Sequence, residues 1–112
     1  MQITIEYLAG FFDGEGTFYL GKQYKNNVEY PKAQVMLSQS GPDGLKLLEQ
    51  IQHQYGGNIY EHLKAGQHKA TKSAYKIYWN KQEAIKLIQQ LVPYLVLKKQ
   101  CAKDVLTYLT RE

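Results

Sequence analysis

The chain has 112 residues and a formal net charge of +4, with ten tyrosines against three phenylalanines and one tryptophan. That length gives one domain, residues 1–112, with enough apolar content to bury a core. No apolar run approaches the ~20 residues that span a bilayer. No basic-then-apolar leader opens the chain, and a lone cysteine, Cys101, rules out a disulfide framework within one chain. We therefore expect an intracellular, reducing compartment and no membrane partner. The mildly basic balance favours a polyanionic partner without establishing one.

Residues 3–14 carry Ile3, Ile5, Leu8, Phe11 and Phe12 at roughly helical spacing, stopped by Gly14 and Gly16. Residues 17–25 and 28–39 read as a β-hairpin around the turn Lys25-Asn26-Asn27. Alternation puts Ala33, Val35 and Leu37 on one face and Lys32, Gln34 and Met36 on the other. Ser40-Gly41-Pro42-Asp43 breaks the strand. A helix follows over 43–55, with Leu45, Leu48, Ile51 and Gln52 at helical spacing, ended by Gly56-Gly57. Residues 58–64 and 73–79 form a second hairpin around a basic tip, with Tyr75, Ile77 and Trp79 as core. A helix over 81–91 turns Ala84, Leu87, Ile88 and Leu91 inward. Pro93 opens a last helix to about residue 110, where Leu97, Cys101, Val105 and Leu109 repeat every four and Cys101 is a buried, inert thiol. The expected fold is α+β: two hairpins joined in one four-stranded antiparallel sheet, helices on one face and an open polar face opposite.

The most informative stretch is Leu8-Ala9-Gly10-Phe11-Phe12-Asp13-Gly14-Glu15-Gly16. A helical glycine costs roughly 1 kcal/mol against alanine. Two on one face, Gly10 and Gly14, permit close approach of another backbone. A pair of such helices brings two copies of Glu15 together, and paired carboxylates in a basic protein suit a metal that works on phosphate.

This stretch resembles the motif of the LAGLIDADG homing endonucleases, and the predicted α-β-β-α-β-β-α order resembles their domain over nearly the whole chain. One motif copy implies a homodimer through the motif helix, with Leu8, Gly10, Phe11 and Gly14 at the interface. The resemblance implies Mg²⁺ (or Mn²⁺) on Glu15 and the Gly14 backbone carbonyl, with Asp13 structural first and a weak ligand second. Residues 93–102, Pro-Tyr-Leu-Val-Leu-Lys-Lys-Gln-Cys-Ala, resemble the family's last-helix segment, whose basic residue reaches the active site, and Lys98 matches that position. Gln39 matches a water-positioning residue, with Ser38 or Ser40 as substitutes should the register slip. The implied activity is site-specific double-strand DNA cleavage at a long, pseudo-palindromic target, with a staggered cut. The implied setting is a bacterial or phage cytoplasm or an organelle. The alternatives are an inactive DNA- or RNA-binding protein of the same fold, a maturase or a regulator, and a purely structural dimerisation domain.

Strand alternation nominates the open face for DNA: Tyr19, Gly21, Gln23, Tyr30, Lys32, Gln34 and Met36 from the first hairpin. From the second it nominates Tyr60, His62, Lys64, Lys76 and Tyr78. The turn residue Lys25 and the tip residues Lys69 and Lys72 are placed to meet phosphates. A slip of one residue would exchange the two faces.

Overall fold

A computed structural model of the protein describes residues 2–64, 66 and 71–111. The elements run α1 (Ile5–Glu15), β1 (Gly16–Lys25), β2 (Val28–Ser40), α2 (Gly41–Tyr55), β3 (Asn58–Leu63), β4 (Ala74–Tyr78), α3 (Lys81–Leu91) and α4 (Lys99–Thr110). A 3-10 turn at Val92–Tyr94 separates α3 from α4. The four strands form one antiparallel sheet in the order β1-β2-β4-β3. The fold is thus the expected α+β architecture.

α1 starts where Thr4 caps it, its side chain accepting from the Tyr7 N–H at 3.1 Å. Ile3 stays outside the helix because its backbone is taken elsewhere. The Gln54 amide accepts from Ile3 N at 2.7 Å and donates to Ile3 O at 3.1 Å, and the Tyr55 hydroxyl donates to the same carbonyl. The helix runs through Gly14 and ends at Gly16, where a Cβ would lie 2.3 Å from Phe12 Cδ1 and 2.9 Å from Phe12 Cα. Only glycine lets β1 depart across the Phe12 ring. That ring is fully buried, stacked on Phe18 at 4.9 Å and tilted against Trp79 at 5.7 Å.

Asn26 and Asn27 both have positive φ, 54° and 63°. Such a two-residue turn matches the twist of its strands, and Asn tolerates it best after Gly. β1 pairs with β2 from Gly16↔Leu37 out to Lys25↔Val28, whereas β4 reaches β2 only from Met36 to Ser40. The outer half of the first hairpin therefore projects beyond the rest of the sheet.

Phe18, Val35, Leu37 and Ile77 face a helical layer that contributes Leu8, Phe12, Leu48, Ile51, Ile88, Leu91, Leu95 and Val105, all buried. Each such side chain adds about 1.5–3 kcal/mol of hydrophobic stabilisation. Ala84, Leu87, Ile88 and Leu91 all turn inward on α3. Gln52 does not join the core; it is exposed and donates to Gly57 O at 3.2 Å.

The last helix differs from expectation. Pro93 opens the 3-10 turn, not α4, and α4 begins only at Lys99. The Asp13 carboxylate accepts from Val96 N at 2.8 Å and Lys98 N at 2.9 Å, so these two N–H groups join no helical ladder and 95–98 runs as a strap between the 3-10 turn and α4. The inward face of α4 is then Ala102 and Val105, with Leu106 and Leu109 partly buried beside them. Leu97 is 80% exposed and Cys101 is exposed, so neither belongs to the core. The four-residue repeat is displaced by the ordinary 3.6-residue period.

Candidate active site and nucleic-acid face

The end of α1 gathers three charged groups of different kinds. Glu15, the last helical residue, is exposed. Asp13 is half-buried, with each oxygen engaged by a strap N–H. Lys98 is half-buried, and its Nζ donates to the carbonyl oxygen of Gly16. The fold thus sets an ammonium 82 positions along the chain against the residue that follows Glu15. Both oxygens of Asp13 accept backbone N–H bonds, in keeping with the structural role expected of it first. The Gly14 carbonyl lies in the last helical turn, where carbonyls lack intrahelical partners.

Among the described residues no three His, Cys, Asp or Glu side chains gather as a metal cage. The oxygen donors at this corner, the Glu15 carboxylate and the Gly14 carbonyl, fit Mg²⁺ in the manner of sites that keep several waters and take a phosphate ligand.

On the outer face of α1, a Cβ at Gly10 or at Gly14 would meet nothing within 4 Å. Tyr7, 57% exposed, and half-buried Phe11 flank that smooth strip, their rings 6.3 Å apart. The strap at the helix end adds Val96 and Leu97, 79% and 80% exposed. Leu8 is corrected: it is fully buried in the protomer's own core and has no surface to offer an interface. Sequence reading did not single out Tyr7 or Val96 as exposed, and it set Leu97 in the repeat of the last helix. Two adjacent apolar residues after a buried Leu95 were the available signal for the last two.

The pairing of β1 with β2 and of β2 with β4 runs without a register shift. Tyr19 lies opposite Gln34, Gly21 opposite Lys32 and Gln23 opposite Tyr30. Met36, Tyr78 and Asn58 form one row across the sheet, and Ser38, Lys76 and Tyr60 the next. Tyr19 lies flat along its strand; a Cβ at Gly21 would be 2.1 Å from its hydroxyl. The Tyr60 ring meets Tyr78 at 5.7 Å and His62 at 6.4 Å, both nearly edge-on. A register irregularity between Glu61 and Leu63 frees His62 from the ladder, and it is exposed. Lys64 follows β3 and Lys25 sits at the hairpin tip, both exposed. Lys72 lies off the sheet, its Cδ 3.2 Å from where a Gly41 Cβ would be, at the start of α2. Lys69 lies outside the described residues.

Gln39 pairs with Tyr75 near the end of β2 and shares the phase of buried Leu37, its Cβ 2.8 Å from where a Cβ at Gly44 would lie. Half-buried Ser38 pairs with Lys76, one position beyond the Gly16↔Leu37 pair that ends the β1–β2 ladder. Asn58, Thr17 and Ser38 are further open-face residues that the sequence reading left out of its DNA set.

The class defined by these features is a helix-backed, four-stranded sheet with one glycine-bearing motif helix ending in an acid at the sheet's edge. The family model of the LAGLIDADG endonucleases matches residues 8–108, and the chain belongs to that family. A search of curated protein sequences finds no match. Among solved structures, the homing endonuclease I-CvuI on the I-CreI target, with Mg and uncleaved DNA, is 23% identical. The match covers 96% of this chain and 66% of that one, with a TM-score of 0.73. The archaeal intron-encoded homing endonuclease I-Vdi141I, complexed with DNA, is 25% identical over 94% of this chain and 65% of that one, with a TM-score of 0.70. The group I intron-encoded homing endonuclease I-CeuI, complexed with DNA, is 19% identical over 97% of this chain and 56% of that one, with a TM-score of 0.75. The chain therefore spans less than two thirds of the length of these structural relatives. No helix among the described residues is long and apolar enough to cross a membrane.

Proposed function

We propose that the protein is a homodimeric, divalent-metal-dependent homing endonuclease that makes a staggered double-strand cut in a long, pseudo-palindromic DNA site. The observation that carries this is the Lys98 ammonium on the Gly16 carbonyl, beside Glu15, at the margin of a Tyr- and Lys-bearing sheet face. A carboxylate and a cation at one edge of a nucleic-acid-sized surface are what phosphodiester hydrolysis needs.

Two protomers joined along Gly10 and Gly14 would set two Glu15 carboxylates side by side, one for each strand, and their two-fold axis calls for a two-fold target. The exposed Val96 and Leu97 widen the apolar area for that contact. Glu15 and the Gly14 carbonyl would hold Mg²⁺, or Mn²⁺. The metal supplies Lewis-acid polarisation of the phosphate and a lower pKa for the attacking water. Lys98 stabilises negative charge as it grows on the phosphate. Gln39, near the end of β2, would orient the water, with Ser38 or Ser40 as substitutes. The solved relatives support a DNA target, since I-CvuI was crystallised with DNA in Mg or Ca. The sheet residues Tyr19, Gln23, Tyr30, Lys32, Gln34, Lys76 and Tyr78 would enter the major groove, with Lys25 and Lys64 on phosphates.

The test is selection of cleaved sites from a random duplex library in Mg²⁺, with wild type beside Glu15→Gln. One palindrome-like site, cut by wild type and not by the variant, is the expected result. Enrichment by binding, with cleavage by neither protein, would replace this reading with that of a binding-only regulator or maturase.

A further inference from the structure

We infer that Asp13 is the positioning residue for Lys98, acting on it through the backbone of the strap. For its catalytic meaning this rests on the endonuclease reading; its structural part does not. Both oxygens of Asp13 are committed to the strap, Oδ2 to Val96 N–H at 2.8 Å and Oδ1 to Lys98 N–H at 2.9 Å. Bonds to an ionised acceptor are the stronger kind. Among the described residues no other hydrogen bond holds the strap's middle, where Val96 and Leu97 stand 79% and 80% exposed. On either side the chain is fixed. Leu95 is buried upstream, and the Lys98 carbonyl accepts from Ala102 N at 2.9 Å as α4 begins. Between those anchors the Asp13 carboxylate orients the strap and, together with the first turn of α4, sets where the Lys98 backbone sits and so where its flexible side chain starts. From that start the ammonium reaches the Gly16 carbonyl.

The motif's two acids therefore divide the work. Glu15 faces solvent at the helix end and is free to meet metal and phosphate. Asp13, two residues earlier, holds the cation that Glu15 works beside. An ammonium misplaced by an ångström loses much of its value, because positional errors of that size cost on the order of 100-fold in rate.

The test compares Asp13→Asn, Lys98→Gln and the double variant in single-turnover cleavage of the selected duplex. Asparagine keeps the shape of the side chain but replaces one acceptor oxygen with a donor. Loss of a supporting partner of this kind costs about 10–100-fold. The single-turnover rate of Asp13→Asn should fall by that factor, with duplex affinity in Ca²⁺ and dimer mass unchanged. In the Lys98→Gln background the same substitution should add nothing, because it acts through the lysine. Losses that multiply in the double variant would overturn the inference and return Asp13 to a metal or purely structural role.

A second readout needs no cleavage. Acetylation by acetic anhydride, followed by mass spectrometry, should modify Lys98 several-fold faster in Asp13→Asn, relative to exposed Lys103 on α4. An unchanged ratio overturns the inference. Wild type that never cuts DNA would sink the endonuclease reading and leave this arm standing. Should Asp13→Asn not fold, Val96→Pro removes one strap N–H without touching Asp13 or Lys98. It follows Leu95, whose φ −76° and ψ 145° already suit a residue before proline. The same acceleration is expected there, and its absence overturns the inference equally.

Discussion

Replacing Gly16 with alanine puts a methyl group 2.3 Å from Phe12 Cδ1 and 2.9 Å from Phe12 Cα. The ring can swing aside, but Cα belongs to the motif helix and cannot move without the helix. A swung ring gives up its 4.9 Å stack on Phe18 and its 5.7 Å contact with Trp79. Aromatic pairs contribute about 0.5–1.5 kcal/mol each beyond burial, and overfilling a packed core costs about 1–3 kcal/mol. The relief from replacing a strand glycine is about 0.5–1 kcal/mol. The net expectation is a loss of about 2–3 kcal/mol, a large part of the ~5–15 kcal/mol that holds a domain folded. Urea unfolding followed by the fluorescence of Trp79, the sole tryptophan, reads this directly. With an m-value of about 1–3 kcal/mol/M, the midpoint should fall by roughly 1–2 M at unchanged slope. The same substitution at Gly10 should have the opposite sign in a protomer kept dilute. There a Cβ meets nothing within 4 Å, and alanine gains up to about 1 kcal/mol of helix propensity. A Gly16→Ala midpoint equal to wild type would refute the packing argument.

Four other outcomes are expected. Glu15→Gln should bind the selected duplex in Ca²⁺ with wild-type affinity and cleave it at least ~100-fold more slowly, the loss typical of removing a group that stabilises transition-state charge; equal single-turnover rates would remove Glu15 from the chemistry. Gly10→Leu should run as a monomer in light scattering at concentrations where wild type is dimeric, and a dimeric variant would move the interface off α1. Duplex affinity should fall about 10³–10⁵-fold between 50 and 200 mM salt if six to ten phosphates are engaged, and a flat salt titration would argue against the sheet face as the DNA surface. Burial first, and the Glu6 carboxylate second, hold the Tyr55 phenol above its ordinary pKa of 10.0. The unfolded chain then gives up this proton before the folded one, so Tyr55 contributes fully below pH ~10 and its contribution is lost as pH rises from there through the folded value. Tyr55→Phe should flatten that alkaline decline while losing about 1 kcal/mol at neutral pH with the bond to Ile3 O.

Much of the fold was legible because its signals are local. The Asn26-Asn27 turn sets the first hairpin, and alternation from Tyr30 to Leu37 sorts its faces. Ala84, Leu87, Ile88 and Leu91 print one side of α3 directly into the spacing. Of the candidate site, the resemblance to known motifs nominated Glu15 and Lys98, which the fold brings to one corner through the Lys98 contact with the Gly16 carbonyl. The strap was not legible, because what keeps Val96 and Lys98 out of a helix is a carboxylate 83 positions from Val96. Residues 93–110 read as one helix when only neighbours are consulted, and Cys101 inherits a core place it does not have. Leu8 failed for another reason. The motif's first residue shares a helix with Gly10, but helical rotation carries it to the opposite side. Gln39 and Ser38 differ by one position, and only the pairing with Tyr75 and Lys76 tells which one faces outward.

The strap also makes neighbouring positions answerable to different assays. Leu95 is buried, Leu97 stands in water and Lys98 reaches back to Gly16. Substitutions at 95, 97 and 98 should therefore separate cleanly, the first read by a melting curve, the second by molecular mass and the third by a cleavage rate. Within four consecutive codons, a scan of single variants can tell a folding defect from an assembly defect and a chemical one.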